Sequence, residues 1–180
     1  MTGIASKGQL RLSLLRIALL AVPAVMLLGT ISGVLSGSAY TGWYRTLAKP
    51  SFNPPGAAFG IVWPILYFLQ GLALSMILHA LGAPGRGLAL AAFGAQFLLN
   101  LLWSPVFFGM REVGAAFYVI IGMIVLTLVA IAAFWRVRRT AALLMLPYLA
   151  WICFAAVLNW EIKRLNPELA LAGPVADRLA

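Results

Sequence analysis

Three polar or aromatic side chains recur at helical spacing inside the stretch AQFLLNLLWSPVFFG: Gln96, Asn100 and Trp103, at i, i+4 and i+7. That spacing puts them on one face of an α-helix. Tyr148, Trp151, Ala155 and Asn159 form a second stripe of the same kind, and Trp63, Tyr67 and Gln70 a third. Amides supply hydrogen bonds in fixed directions, while indole and phenol rings supply flat apolar faces. The chemistry open to such a set is recognition, in a pocket mostly apolar and aromatic with a few placed polar groups. Covalent chemistry has no comparable support. There is no Ser-His-Asp, Cys-His or paired-carboxylate set and no cluster of metal ligands. His79 stands alone near the end of its segment and reads as an interface residue; Cys153, off the Trp151 stripe, reads as a small packing residue.

Each amide taken singly reads as helix–helix glue. Asn and Gln hydrogen-bond across membrane helices for about 0.6 kcal/mol on average. Three stripes facing one another read instead as the wall of a pocket, with Ala155 leaving room at its centre.

The elements that must position these stripes are apolar enough to cross a membrane. Of the 180 residues, 63% are hydrophobic and only 9% charged, against about 45–50% and 25% in soluble domains. Five runs approach the roughly 20 residues that span a bilayer: about Arg16–Leu35, Ala58–Leu78, Gly87–Phe108, Val113–Trp135 and Ala141–Ile162. In lipid these must be helices, and the alternating pattern of a barrel is absent. The fold expected is an all-α membrane protein, an up-down bundle of five transmembrane helices. The first run is long for a signal peptide and is taken as a retained span. Residues 1–15 form an amino-terminal extension, 16–166 the membrane domain and 167–180 a tail.

The formal charge of +9 does not indicate nucleic-acid binding, because Lys and Arg sit at the ends of the apolar runs, where they anchor spans in membrane lipid. Seven fall on the amino-terminal side and six on the other, so charge asymmetry does not orient the chain. No Asp or Glu lies mid-span: Glu112, Glu161, Glu168 and Asp177 are at ends or in the tail. An ion-coupled carrier usually carries such a group, and an odd number of spans speaks against an inverted repeat. Pro23, Pro64, Pro105 and Pro147 are expected to kink helices, with Pro105 ending the third span early. Gly29, Gly33 and Gly37, and Gly56 with Gly60, lie at four-residue steps that let helices approach closely. Three connections are short. The fourth, Ser36–Ala57, is long and carries Trp43, Tyr44 and Phe52, and is expected to be an ordered lid.

Four motifs in order, WYRTLAKPSFNPP, WPILYFL, AQFLLNLLWSPVFFG and PYLAWICFAAVLN, resemble the signatures of the TspO/MBR family, the tryptophan-rich sensory proteins and mitochondrial translocator (peripheral benzodiazepine receptor) proteins. The resemblance runs from Trp43 to about Asn166. It implies a five-helix bundle, commonly a homodimer in membrane lipid, binding protoporphyrin IX and also haem, with no cofactor or metal required. Carried onto this chain, the cavity would be lined by Tyr44, Trp63, Tyr67, Asn100, Trp103, Trp151 and Ala155, with Gln96 and Tyr148 on the same stripes. Arg45 and Lys49 would meet the propionates. With no mid-span histidine, metal-free porphyrin is expected to bind at least as well as haem.

The leading expectation is a porphyrin receptor or sensor regulating tetrapyrrole handling, in a bacterial cell envelope. The alternatives are a transporter of porphyrin or other lipophilic molecules, and a light- and oxygen-dependent porphyrin-degrading enzyme using Trp63 and Trp151. Trp160 takes the place of the tyrosine in the animal members' sterol pattern, which counts against sterol binding.

Overall fold

The computed structural model describes residues 6–37 and 42–167, apart from the side chain of Lys7. The tail beyond 167, with Glu168, Asp177 and Arg178, lies outside the described residues, as do residues 1–5 of the extension. Five long helices carry the architecture: α1 (Lys7–Leu35), α3 (Gly56–His79), α4 (Arg86–Ser104), α5 (Val113–Val137) and α6 (Arg139–Leu165). A short helix, α2 (Gly42–Thr46), lies in the long first connection. There is no strand among the described residues. All five long helices are apolar and long enough to cross a membrane. The chain is thus a multi-pass integral membrane protein.

Its surface shows the same solvent. Leu19, Leu20, Leu27, Val34 and Leu35 on α1 all point outward, as they should where the surroundings are lipid tails rather than water. α1 packs on α3 and α4, α3 on α6, α4 on α5 and α5 on α6. The helices therefore close a ring in the order α1, α3, α6, α5, α4.

Two helix boundaries differ from expectation, each for a local reason. α1 begins at Lys7 rather than Arg16, so the extension is partly helical. Its start is a capping box: Ser6 Oγ accepts from the Gln9 amide at 3.3 Å and Gln9 Oε1 accepts from the Ser6 amide at 2.8 Å. Nor does Pro105 end the third span. The helix continues as a π-helical turn, Pro105–Gly109, with the Met110 amide bonded to the Pro105 carbonyl at 2.8 Å. Proline has no N–H to give the carbonyl four residues earlier. That carbonyl belongs to Leu101, and Ser32 Oγ of α1 donates to it at 2.6 Å. The proline thus creates the acceptor that ties α1 to α4.

Other ends are finished by polar groups. Arg86 donates to the carbonyls of Ile77 and Leu78, each at 3.1 Å, closing the carboxyl end of α3. Between α5 and α6 only Arg138 leaves helical geometry, with φ −156° and ψ 106°.

The far half of the bundle, away from α2, is densely packed. Phe93 stacks on both Phe97 and Phe134, and Met145 and Tyr148 are fully buried. α1 meets α3 through glycines, Gly71 in that half and Gly29 at the edge of the cavity described below. A Cβ on Gly71 would lie 2.7 Å from the Val22 backbone, and one on Gly29 would run into the Tyr67 ring.

Candidate ligand-binding site

Toward α2 the helices separate around a cavity of about 280 Å³. Sites for drug-sized ligands measure about 300–1,000 Å³, so this one lies at the foot of that range. None of its described lining residues is charged. Tyr44, Trp63, Tyr67, Asn100, Trp103, Trp151 and Ala155 all face it.

The stripes reach the cavity because α3, α4 and α6 each turn one face inward. Trp63 stacks on Tyr67, centroids 5.4 Å apart, and meets Trp151 edge to face at 6.4 Å. Trp103 stacks on Phe107 at 5.0 Å. Below these rings runs a hydrogen-bonded floor. The Tyr67 hydroxyl donates to Asn100 Oδ1 at 3.0 Å, and Asn100 Nδ2 donates to the Tyr148 hydroxyl at 3.1 Å.

The structure separates the other stripe residues from the lining. Tyr148 is wholly buried beneath Asn100. Gln96 lies within the packed core, donating to Gln70 Oε1 at 3.1 Å. Neither lines the cavity. Both are the interhelical glue that a buried amide or phenol most simply provides. Arg45 and Lys49 do not line it either. Arg45 is exposed on α2. Lys49 Nζ donates to the Leu47 carbonyl at 2.9 Å and sits 4.7 Å from the Tyr44 ring centre. Burial pushes the Lys49 ammonium below its usual pKa and the Tyr44 phenol above its own.

The cover itself is held from three sides. Tyr44 packs against Phe107 and Phe108, centroids 6.2 and 5.7 Å away. Its hydroxyl donates to Asn53 Oδ1 at 3.1 Å. Asn166, just past α6, grips the peptide of Ala48: the Ala48 amide donates to Asn166 Oδ1 and Asn166 Nδ2 donates to the Ala48 carbonyl, both at 2.9 Å.

Three polar atoms at the cavity are buried without a partner: Trp103 Nε1, Trp151 Nε1 and Asn159 Oδ1. Asn159 is held in place by its own Nδ2, which donates to the Val113 carbonyl at 2.8 Å. Buried polar groups are otherwise paired in most proteins. These two donors and one acceptor lie just beneath an apolar aromatic wall, on residues that line it but with the atoms themselves covered.

Several lining residues escaped the sequence reading. Phe59 stands four residues before Trp63 and Phe107 four after Trp103, so longer stripes would have found both. Phe108 could not be found so, because it joins Phe107 at the cavity only through the π-helical turn. The α1 contributions, Gly29, Thr30, Ser32, Gly33 and Val34, carry no aromatic or amide signal. Trp160, at the sterol-pattern position, lies outside the cavity lining, half exposed against Phe117 and near Lys163.

Five spans closed around a cavity whose described lining is aromatic and uncharged, under a short helical cover, define a multi-pass integral membrane protein. The chain belongs to the TspO/MBR family, whose model matches residues 20–165. It is 39% identical over 138 residues to the tryptophan-rich protein TspO of Chlorobaculum tepidum, covering 73% of this chain and 87% of that one. It is 40% identical over 124 residues to a tryptophan-rich sensory protein of Cereibacter sphaeroides, covering 69% and 77%. The translocator protein of Sus scrofa is 36% identical over 156 residues, covering 81% and 90%.

Proposed function

We propose that the protein is a membrane sensor that binds a flat, largely apolar tetrapyrrole such as protoporphyrin IX in this cavity. The observation that carries the reading is the wall itself: stacked aromatic faces with two buried indole N–H donors and one amide oxygen left unpaired. Rings can take the disc by stacking. The indole N–H groups and Asn159 Oδ1 are covered by their neighbours, so a side chain must turn to bring them to the ligand, and in doing so it gives up no bond. The space is too small to enclose a drug-sized ligand fully. The propionate edge therefore stays at the cover, near Arg45 and Lys49, and Lys49 must leave the Leu47 carbonyl to reach it. No imidazole or thiolate stands on the described lining, so haem lacks a firm axial ligand there and binds no tighter than the metal-free ring. The sensory role draws on the names of the relatives, and a homodimer belongs to the same reading.

The Trp63–Trp151 contact favours one second reading, light- and oxygen-dependent oxidation of the bound porphyrin with these indoles beside it. One titration separates the two. Tryptophan fluorescence of the detergent-purified protein is followed as protoporphyrin IX is added in the dark, then under light, for wild type and Trp151→Phe. Saturable quenching with an unchanged porphyrin spectrum under light supports the sensor, after which counterflow from reconstituted vesicles tests for a carrier. Light-driven loss of porphyrin that requires Trp151 supports the enzyme. Absence of saturable quenching in wild type removes both.

A further inference from the structure

The geometry points to a side entrance: ligand passes between α1 and α3 from the lipid phase, and the cover is not the door. The inference rests on the cavity-binding reading above. Along the α1–α3 seam the two helices run antiparallel, and four glycines report how closely they approach. At Gly71 and Gly29 the seam is shut, against the Val22 backbone and the Tyr67 ring. One turn beyond Gly29 comes Gly33, and two turns back from Tyr67 comes Gly60. A Cβ on either would meet nothing within 4 Å. Among the described residues, the seam thus leaves room beside both glycines over its last turns, at the level of the cavity. Both glycines line that cavity, as do Thr30 and Val34 of α1 and Pro64 of α3. Thr30, Val34, Gly60 and Pro64 are also exposed on the membrane face. The cavity wall and the lipid-facing surface are thus the same residues here.

The other way out is closed by bonds that would have to break. Tyr44 and Leu47 are buried, and Asn166, just past α6, holds both polar atoms of the Ala48 peptide. The glycine gap breaks no hydrogen bond when a ligand passes. It lies within two turns of the ends of α1 and α3, close to the boundary between acyl chains and headgroups. A flat amphiphile dissolved in the membrane, with apolar rings in the tails and carboxylates at the headgroups, already sits at that depth.

The test is stopped-flow quenching of tryptophan fluorescence by protoporphyrin IX delivered from phosphatidylcholine vesicles to protein in the same lipid. Wild type, Gly33→Leu, Gly60→Leu and Asn166→Ala are compared, each with its melting curve. With the side entrance, either leucine slows association and dissociation together, roughly tenfold, within the one to three decades over which on-rates vary among variants of one site. Asn166→Ala then leaves both rates alone. Two leucines on different helices guard against one of them failing to fold. If Asn166→Ala speeds exchange while both leucine variants exchange like wild type, the cover is the door and the inference is overturned. It is overturned equally if the leucines weaken binding without slowing association, for the glycines are then only wall. Wild type that never quenches removes the binding reading itself, and the entrance with it.

Discussion

The two halves of this bundle are built from the same residue types and come to opposite ends. In the far half, Gln70 meets Gln96 and Phe93 stacks between Phe97 and Phe134, below the floor where Asn100 joins Tyr67 to Tyr148. Amides and rings there are spent on one another. In the half under α2, Trp103, Trp151 and Asn159 carry the same groups, yet they stand around open space instead of filling it. Glycine divides likewise: Gly29 and Gly71 are filled by neighbours, Gly33 and Gly60 are not. A polar or small residue in a membrane helix thus marks an inward face, and only its neighbours determine whether that face is packing or site. Unpaired polar atoms do not separate the halves, since Gln70 Nε2, Gln96 Oε1 and Thr127 Oγ1 lack partners as Trp103, Trp151 and Asn159 do; open space does. The packed half is not perfectly satisfied.

The contrast is broken most strongly at the closed seam. Gly71→Leu drives a side chain into the Val22 backbone, which cannot rotate away, and is expected to cost about 3 kcal/mol or more. Thermal unfolding in detergent should show it, whereas Gly33→Ala should melt within about 0.5 kcal/mol of wild type. Equal effects at the two glycines would mean that the seam is uniform. Next in size is Asn100→Leu, which strands the Tyr67 and Tyr148 hydroxyls. A loss of about 1–3 kcal/mol is expected, with weaker porphyrin quenching because Asn100 also lines the cavity.

The amide pair gives a sharper test of glue. Gln96→Leu alone should cost about 1 kcal/mol by leaving Gln70 unpaired, and adding Gln70→Leu should restore most of it, because two apolar groups replace two polar ones. Additive losses in that cycle would argue that the glutamines bind something else. Smallest in stability is Trp151→Phe, which keeps an aromatic ring against Phe59, Trp63 and Phe154 and removes an N–H that bonds to nothing in the fold, along with part of the indole. Its melting temperature should hold, while affinity for protoporphyrin IX falls by the worth of one hydrogen bond, about 0.5–1.5 kcal/mol. Unchanged affinity with a lowered melting temperature would place that indole among the packing residues.

Much of the lining was legible in advance. Trp63, Tyr67, Asn100, Trp103, Trp151 and Ala155 follow from helical spacing together with the cost of facing amides to lipid, a local rule that any span must obey. Tyr44 came only through the family resemblance, since no periodicity points to a loop residue. Gln96 and Tyr148 share those stripes and still fall outside the cavity, because a stripe says which face turns inward and not how far the opposing helix stands. The side entrance has no signature beyond four glycines that look alike in one dimension.

By itself the sequence determined that the chain lives in lipid, in five helices, and which faces of them turn inward. Those follow from hydrogen bonds within a helix and from transfer to hydrocarbon, both of which act residue by residue. The tertiary structure decided where the ring of helices opens. That depends on distances between residues far apart in the chain: Ser32 to the Leu101 carbonyl that Pro105 leaves free, Asn166 to the Ala48 peptide, Tyr67 to the hollow at Gly29. A cavity is space that no one segment owns, so no one segment can announce it.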